Sequence, residues 1–218
     1  SGTANPDAGY YLVGSMTGWA IAPEFKMTQT GASTEEYMIE TELIRTSSYH
    51  SQVKAVYSPD GVTKQTWYPD GFDNNYGDYD GELTVSGVYK IYFRPGYDGG
   101  ADWHDNCLYA EQSKYFVTVS DADKNGVVTV DKDTAAPGDT VTVTVTPHDG
   151  YELDTLVYSY GTAPNTLNFA SVEIEGTSFT MPAYNVTVKA TFKEADTAHT
   201  VAFVSDPYDW QNGVILVS

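Results

Sequence analysis

The stretch Thr140-Val141-Thr142-Val143-Thr144-Val145-Thr146 decides the fold class of this chain. Strict alternation of valine with threonine is typical of a β-strand with one buried and one exposed face, because successive side chains point to opposite faces of a sheet. Apolar residues almost nowhere recur at three-to-four spacing over three turns, so the sequence does not indicate helices. We therefore predict an all-β chain.

Short runs rich in Tyr, Val and Ile lie on the N-terminal side of this stretch, at residues 10–13, 36–43, 52–57, 87–93 and 115–119. Clusters of Pro, Gly and Asp separate the runs, as turns between strands require. Several short strands at this spacing indicate an antiparallel, immunoglobulin-like β-sandwich.

The pattern of residue types changes at about Asp121, and from there on simple alternation of Val with Thr is frequent. We predict a first β-sandwich module over residues 1–120 and a second small β module over residues 121–194. Residues 195–218 either form a further strand pair or dock back on the first module, and the sequence does not decide between these two.

Charge excludes several classes of partner. Eleven Lys and Arg stand against thirty Asp and Glu among 218 residues, which gives a formal net charge of −19. Nucleic acids and anionic membranes would be repelled, since their binding depends on cationic side chains. No run of about 18 apolar residues occurs, so membrane insertion is not expected. An uncharged ligand is compatible with this charge.

Motifs for catalysis and cofactors are missing from the sequence. Its four histidines show no metal-binding spacing, and neither a nucleophile elbow nor a phosphate loop occurs. A single cysteine, Cys107, excludes a disulfide framework and is interpreted as a small apolar filler. A glycoside hydrolase fragment would need two facing carboxylates, but thirty acids make some pair inevitable. We predict neither an enzyme nor a cofactor.

One acidic cluster permits a metal as an alternative. Its oxygen-bearing side chains are those that a structural Ca²⁺ prefers, and they belong to Asp70, Asp73, Asn74, Asp78 and Asp80. A solvated acidic loop is the interpretation that we prefer.

The aromatic content is the most informative excess, with 18 Tyr, 8 Phe and 4 Trp. Residues 67–80 place Trp67, Tyr68 and Tyr76 among Asp, Asn and Gly, which is the composition of an exposed loop rather than a buried strand. Trp103 lies in a second Gly-rich loop. Flat aromatic rings can cover the apolar face of a sugar ring, while short polar side chains bond its hydroxyls.

The second module resembles a known family. Residues 124–130, 137–141, 150–153 and 179–193 are similar to the divergent B-repeat, a small β module of bacterial surface and secreted proteins. The resemblance covers nearly all of residues 121–194. It implies an extracellular or cell-surface location and a spacer or adhesive role.

The first module resembles starch- and glycogen-binding modules over most of residues 9–110. The run Tyr11-Leu12-Val13-Gly14-Ser15-Met16-Thr17-Gly18-Trp19 is similar to the opening strand and loop of that family, and Val53-Lys54-Ala55-Val56 is similar to a later strand. Residues 67–76 and 92–95 also resemble starch-adherence modules of gut clostridia.

This second resemblance implies a ligand site. The tryptophan platform of the family matches Trp19 and Trp67, its hydroxyl donor matches Lys54, and its asparagine matches Asn74 or Asn75. Tyr68, Tyr76 and Trp103 are added as candidate contacts from their loop positions.

The resulting prediction is non-catalytic binding of an α-1,4-glucan such as starch by a monomeric part of a longer cell-surface protein, in an amylosome setting. The alternative is a protein-binding adhesin or scaffold module, because Tyr-rich surfaces also bind proteins.

Overall fold

The structure is a computed structural model that describes residues 5, 7–45, 52–77, 83, 85–120, 123–161 and 169–196. Its strands are β1 (Gly9–Gly14), β2 (Thr28–Gln29), β3 (Tyr37–Leu43), β4 (Val53–Ser58), β5 (Thr66–Tyr68), β6 (Gly87–Phe93), β7 (Leu108–Val119), β8 (Gly126–Val130), β9 (Thr134–Ala135), β10 (Thr140–Pro147), β11 (Tyr151–Gly161), β12 (Phe169–Glu173), β13 (Ser178–Thr180) and β14 (Val186–Glu194). The helical elements of the described residues are two 3₁₀ turns, Ser15–Thr17 and Pro23–Phe25. The prediction of an all-β chain is confirmed.

Three sheets organise the described strands. Two of them have three strands each, in the orders β1-β4-β5 and β13-β10-β8. The third has eight strands in the order β12-β11-β14-β7-β6-β3-β2, with β9 pairing β7 beside this path. Each small sheet packs on a different half of the large sheet, so the chain forms two β-sandwiches side by side.

Alternating burial explains why these residues form strands. In β6 every second residue from Gly87 to Phe93 is buried, and the intervening residues are partly exposed. In β10 the valines Val141 and Val143 are buried, and the threonines beside them are exposed. Each strand therefore presents one apolar face to a core, as the alternation predicts.

Each sandwich has its own core. The first core joins Leu12 and Ala55 of the β1-β4-β5 sheet to Ile91, Phe93 and Leu108 of the large sheet. The second core joins the small β13-β10-β8 sheet to the other half of the large sheet, through residues that include Val141, Val143, Phe179, Leu156, Val188 and Phe192. A smaller apolar layer lies on the outer face of the β1-β4-β5 sheet, and it becomes important for the site below.

Strand β7 belongs to both sandwiches. Its residues 108–114 pair antiparallel with β6, whereas residues 117–119 pair parallel with β14. The sequence predicts a strand only over residues 115–119 and a module boundary after residue 120. The observed strand begins seven residues earlier, so the boundary lies at the end of a strand that the two modules share. The β14–β7 pairing is also parallel, which departs from the predicted antiparallel arrangement.

Asn185 holds the junction between the two modules together. Its Oδ1 accepts a hydrogen bond of 2.8 Å from the backbone N–H of Phe116, and its Nδ2 donates one of 2.9 Å to the carbonyl oxygen of Ser86. One side chain of the second module therefore bonds both to the shared strand and to the segment that leads into β6. Asn185 therefore links the second module to the first at this point.

Cys107 lies fully buried in the first core, which confirms its interpretation as a core filler. Burial raises the pKa of its thiol to about 12, and the nearby carboxylate of Asp105 adds to this effect. Since the thiolate is the reactive form, we expect native protein at pH 8 to resist iodoacetamide and urea-unfolded protein to be alkylated fully. Mass spectrometry measures both states, and rapid labelling of the native protein would contradict the packing described.

The two alternatives predicted for the C-terminal segment, residues 195–218, stay predictions. Residues 197–218, most of the segment expected either as a strand pair or as a docking tail, lie outside the described residues. At its start, the N–H of Ala195 donates to the carbonyl oxygen of Gly150 at 2.8 Å. Across the described ranges, none of the helices has the length and apolar character needed to span a membrane.

Candidate functional site

A cavity of about 830 Å³ lies beside the outer face of the β1-β4-β5 sheet. Its volume is within the range of roughly 300–1,000 Å³ that small-molecule sites occupy. Three aromatic side chains line it, namely Trp19, Trp67 and Phe72. This combination of aromatic lining and sufficient volume makes the cavity the candidate site.

Strand β5 positions Trp67. In the β4–β5 pairing, Trp67 stands opposite Val56, whose side chain belongs to the outer apolar layer of the sheet. The indole packs against this layer, which also contains Tyr11 and Val13. Trp67 is therefore half-buried: the sheet supports the indole, and part of it remains open to the cavity.

A tight turn after β1 positions Trp19. The Thr17 side chain closes this turn by accepting a bond of 3.1 Å from the N–H of Gly14, and the N–H of Trp19 bonds the carbonyl oxygen of Gly14 at 2.9 Å. Gly18 and Trp19 both adopt left-handed backbone conformations, with φ of 58° and 65°. This conformation is unfavourable for a bulky residue by roughly 1–3 kcal/mol, and such strain is concentrated at functional sites.

The two tryptophans form an angled pair. Their ring centroids are 6.5 Å apart, and their planes are inclined by 47°. The Nζ of Lys64 lies 5.6 Å from the centroid of Trp67 and donates a bond of 2.8 Å to the carbonyl oxygen of Trp19. Lys64 therefore ties the Trp19 turn to strand β5, and the pair presents a bent apolar surface rather than a flat one.

Polar side chains surround the tryptophans on the cavity wall. They are carboxylates, amides and a hydroxyl, and they belong to Gln52, Gln65, Thr66, Asp70, Asp73 and Asn75. Groups of these types can accept and donate hydrogen bonds to hydroxyls. The site can therefore hold a ligand that has apolar faces and a polar rim.

The ammonium group of Lys54 is already satisfied by the protein. Lys54 is 3% exposed, and its Nζ donates to the carbonyl oxygens of Pro69 and Gly71, both at 2.9 Å, and to Oδ1 of Asn74 at 2.7 Å. Burial lowers the pKa of Lys54, and the carboxylate of Asp105 opposes that shift. An ammonium has three hydrogens to donate, so these contacts make Lys54 an anchor of the loop after β5. Lys54 also borders the cavity, and its expected role as a hydroxyl donor stays a prediction.

The two asparagines have different positions. Besides accepting from Lys54, Asn74 donates through Nδ2 to the carbonyl oxygen of Asp70 at 2.6 Å and to Oδ2 of Asp105 at 3.0 Å. Its amide is thus used within the loop. Asn75 lines the cavity, and its Nδ2 donates to Oε1 of Gln52 at 3.2 Å. Of the pair that the resemblance implies, Asn75 is the one placed at the site.

Two tyrosines that the sequence places at the site pack in the first core instead. Tyr76 is 3% exposed and accepts a bond from the N–H of Ala110 at 3.0 Å. The ring of Tyr68 lies 4.9 Å from that of Phe93 and 5.9 Å from that of Tyr97. Tyr76 therefore lies in the first core, and Tyr68, which is partly exposed, packs against that core. Neither residue lines the cavity, so the structure does not bring them to the candidate site.

Trp103 lies apart from the cavity and packs within its own loop. The guanidinium carbon of Arg94 is 4.5 Å from the ring centroid of Trp103, and the ring of Tyr109 lies 5.7 Å away. A side chain in place of Gly99 would clash with the indole, which shows that the indole lies against the backbone of Gly99. The structure therefore gives Trp103 a packing role and does not bring it to the site.

Two residues at this site, Phe72 and Lys64, are not among the ligand contacts that the sequence predicts. Phe72 carries a usable signal, since it is an aromatic residue in a loop of Asp, Asn and Gly. Lys64 carries none, because its contacts with Trp19 and Trp67 depend on the pairing of β4 with β5.

The acidic cluster expected as an alternative Ca²⁺ site lies only partly within the described residues. Asp78 and Asp80 lie outside the described residues. In the part of the chain that the structure describes, no group of three or more His, Cys, Asp or Glu side chains is arranged to hold a metal ion.

Comparison with known proteins finds a similarity for the second module. Residues 115–196 match the family model of the divergent InlB B-repeat domain. The match supports a surface-protein B-repeat module and begins within the shared strand β7. No curated protein and no solved structure matches the chain. The resemblance of the first module to starch-binding modules has no support from these comparisons and stays a prediction.

Proposed function

We propose that this chain is a non-catalytic glycan-binding part of a bacterial surface protein, and that its ligand is an α-1,4-glucan held between Trp19 and Trp67. The angled tryptophan pair beside a cavity lined with polar groups is the observation that carries this proposal. The B-repeat match supports a location outside the cell or on its surface.

The geometry of the pair favours an α-linked chain. Each indole can cover the apolar face of one sugar ring, and indoles inclined by 47° suit sugar rings that turn relative to one another. Chains of α-1,4-linked glucose curve in this way, whereas β-1,4-linked chains are extended and flat. The net charge of −19 is also compatible with an uncharged polymer.

Binding without cleavage is the form of the proposal that the cavity supports. Glycosidases place two carboxyl groups on either side of the scissile bond. The cavity carboxylates, Asp70 and Asp73, both lie on the loop that follows β5. Appearance of new reducing ends when amylopectin is incubated with the protein would contradict this part of the proposal.

Affinity electrophoresis of the full chain tests the proposal. We expect retardation in gels that contain amylopectin, pullulan or glycogen, and normal migration in gels that contain hydroxyethyl cellulose, a soluble β-glucan that serves as the matched control. Equal retardation in both kinds of gel would contradict selectivity for α-linkages. Normal migration in all of them would contradict glycan binding.

A protein-binding adhesin is the second candidate, and the B-repeat match favours it. Among the described strands, β12 lies at an edge of the large sheet and exposes Phe169 and Val172. An edge strand with exposed apolar side chains can pair with a strand of a partner protein. The absence of glycan binding in the experiment above would leave this function as the better conclusion.

Lys64 offers a prediction within the proposed function. We expect Lys64→Ala to reduce the affinity for amylopectin about threefold, because the Trp19 turn loses its tie to β5, while the free energy of unfolding changes by less than about 0.5 kcal/mol. Retardation and urea unfolding measure the two effects. Lys124→Ala, at an exposed position in the second module, is the control and should leave both unchanged. An affinity unchanged in Lys64→Ala would show that Lys64 does not position the pair.

A further inference from the structure

Phe72 is an aromatic side chain with no packing role in the fold. It is 91% exposed, yet it borders the same cavity as Trp19 and Trp67. A single exposed apolar residue is ordinary on a protein surface. A third aromatic ring on the wall of a cavity that already has two is different, because the three rings then belong to one surface.

The loop that carries Phe72 is held on both sides of that residue. Before it, the carbonyl oxygen of Gly71 accepts from the buried ammonium of Lys54 at 2.9 Å, and the N–H of Asp70 donates to the Tyr97 hydroxyl at 3.0 Å. After it, Asn74 bonds Lys54 at 2.7 Å. The backbone that carries Phe72 is thus held by the protein on both sides of this residue, and such preorganisation of a loop lowers the entropic cost of binding.

The cavity is larger than the tryptophan pair needs. Its volume of about 830 Å³ is near the upper end of the range for small-molecule sites. Trp19 and Trp67 can each cover one sugar ring, which accounts for two consecutive units. Phe72 lines the same cavity from the loop after β5, with Asp73 beside it.

We infer that Phe72 is a third sugar contact, so that the site binds chains of three or more consecutive α-linked glucose units in preference to a disaccharide. This inference rests on the proposed function and extends it to the length of the ligand. A ligand of two units would leave Phe72 uncovered and gain nothing from it. A longer chain would bury the ring and gain affinity.

Calorimetry of the full chain with maltose and maltoheptaose tests this inference. We expect wild type to bind maltoheptaose more tightly than maltose. Phe72→Ala should weaken maltoheptaose binding about tenfold and change maltose binding by less than about twofold. Phe72→Tyr should retain the preference for the longer chain, since it keeps a flat ring. The unfolding midpoint should stay unchanged in both variants, because the side chain of Phe72 is exposed.

The control is Val62→Ala, which also removes an exposed apolar side chain, 78% exposed, but away from the cavity. It should leave both affinities unchanged. A loss in Phe72→Ala that is equal for the two ligands, or no loss, would overturn the third contact and leave the proposed function standing. A wild type that binds neither ligand would overturn the proposed function and this inference together.

Discussion

Trp67→Ala is expected to reduce the affinity for amylopectin by at least about 30-fold, close to the limit of detection in affinity electrophoresis. The substitution removes one half of the angled pair and also the ring beside the Nζ of Lys64. Trp19→Ala should have a similar effect, because Trp19 supplies the other half. Retardation is measured in gels with and without the polymer.

Folding measurements and one conservative variant separate a loss of the site from a loss of the fold. Trp67 also packs against Tyr11, Val13 and Val56, so its removal destabilises the first sandwich as well. Circular dichroism and urea unfolding show whether the variant is folded under the conditions of the gel. Trp67→Phe keeps a flat ring on the strand and should recover part of the affinity.

Trp103→Ala is the matched control, since it removes an indole that packs within another loop. It should bind amylopectin like wild type. If Trp19→Ala and Trp67→Ala both retain normal retardation, the glycan site lies elsewhere and the proposed role of the cavity is wrong.

Asn185→Ala is expected to lower the free energy of unfolding by about 3 kcal/mol, because the N–H of Phe116 and the carbonyl oxygen of Ser86 each lose a partner in a partly buried junction. It should also separate the unfolding of the two modules. In wild type, the shared strand β7 couples them, and one transition is expected. In the variant, calorimetry should resolve two transitions.

A second substitution of Asn185 and a control variant test this prediction further. Asn185→Asp keeps an acceptor for the N–H of Phe116 but places a carboxylate opposite the carbonyl oxygen of Ser86, so it should remain destabilising. Thr146→Ala, on an exposed position of β10, is the control and should change stability by less than about 0.5 kcal/mol. A change of that size in Asn185→Ala itself would show that the junction contributes little.

The two tryptophans of the site were predictable because their chemistry is local. Trp19 ends a strand–glycine–turn run, and Trp67 comes just before a loop rich in aromatic residues. Each tryptophan can therefore be recognised as a candidate from residues close to it in the sequence. Their roles at the cavity remain predictions about binding, but their shared position on one wall is a structural result. Lys54 shows the limit of such reasoning, because its partners at Pro69, Gly71 and Asn74 come from a loop 15 or more residues away.

The composition of the loop after β5 is a poor guide to which of its aromatic side chains are exposed. Tyr68 and Tyr76 flank a loop rich in Asp, Asn and Gly, which predicts exposure for all its aromatics. The loop in fact leaves Phe72 exposed and turns Tyr76 back into the core, where its backbone bridges that of Val53. Which aromatic of a loop points inward depends on the space that the opposite sheet leaves, and the local sequence does not contain that information.

By itself, the sequence determined the all-β class, the alternating strands and the resemblance of the second half to the B-repeat, because a period of two and the identity of turn residues act over short distances. Tertiary structure alone decided that β7 serves both modules, that Lys54 anchors a loop, and that Trp19, Trp67 and Phe72 meet at one cavity. These features depend on strand register and on contacts between residues far apart in the chain. Such contacts form only when the sheets pack, so no local pattern specifies them.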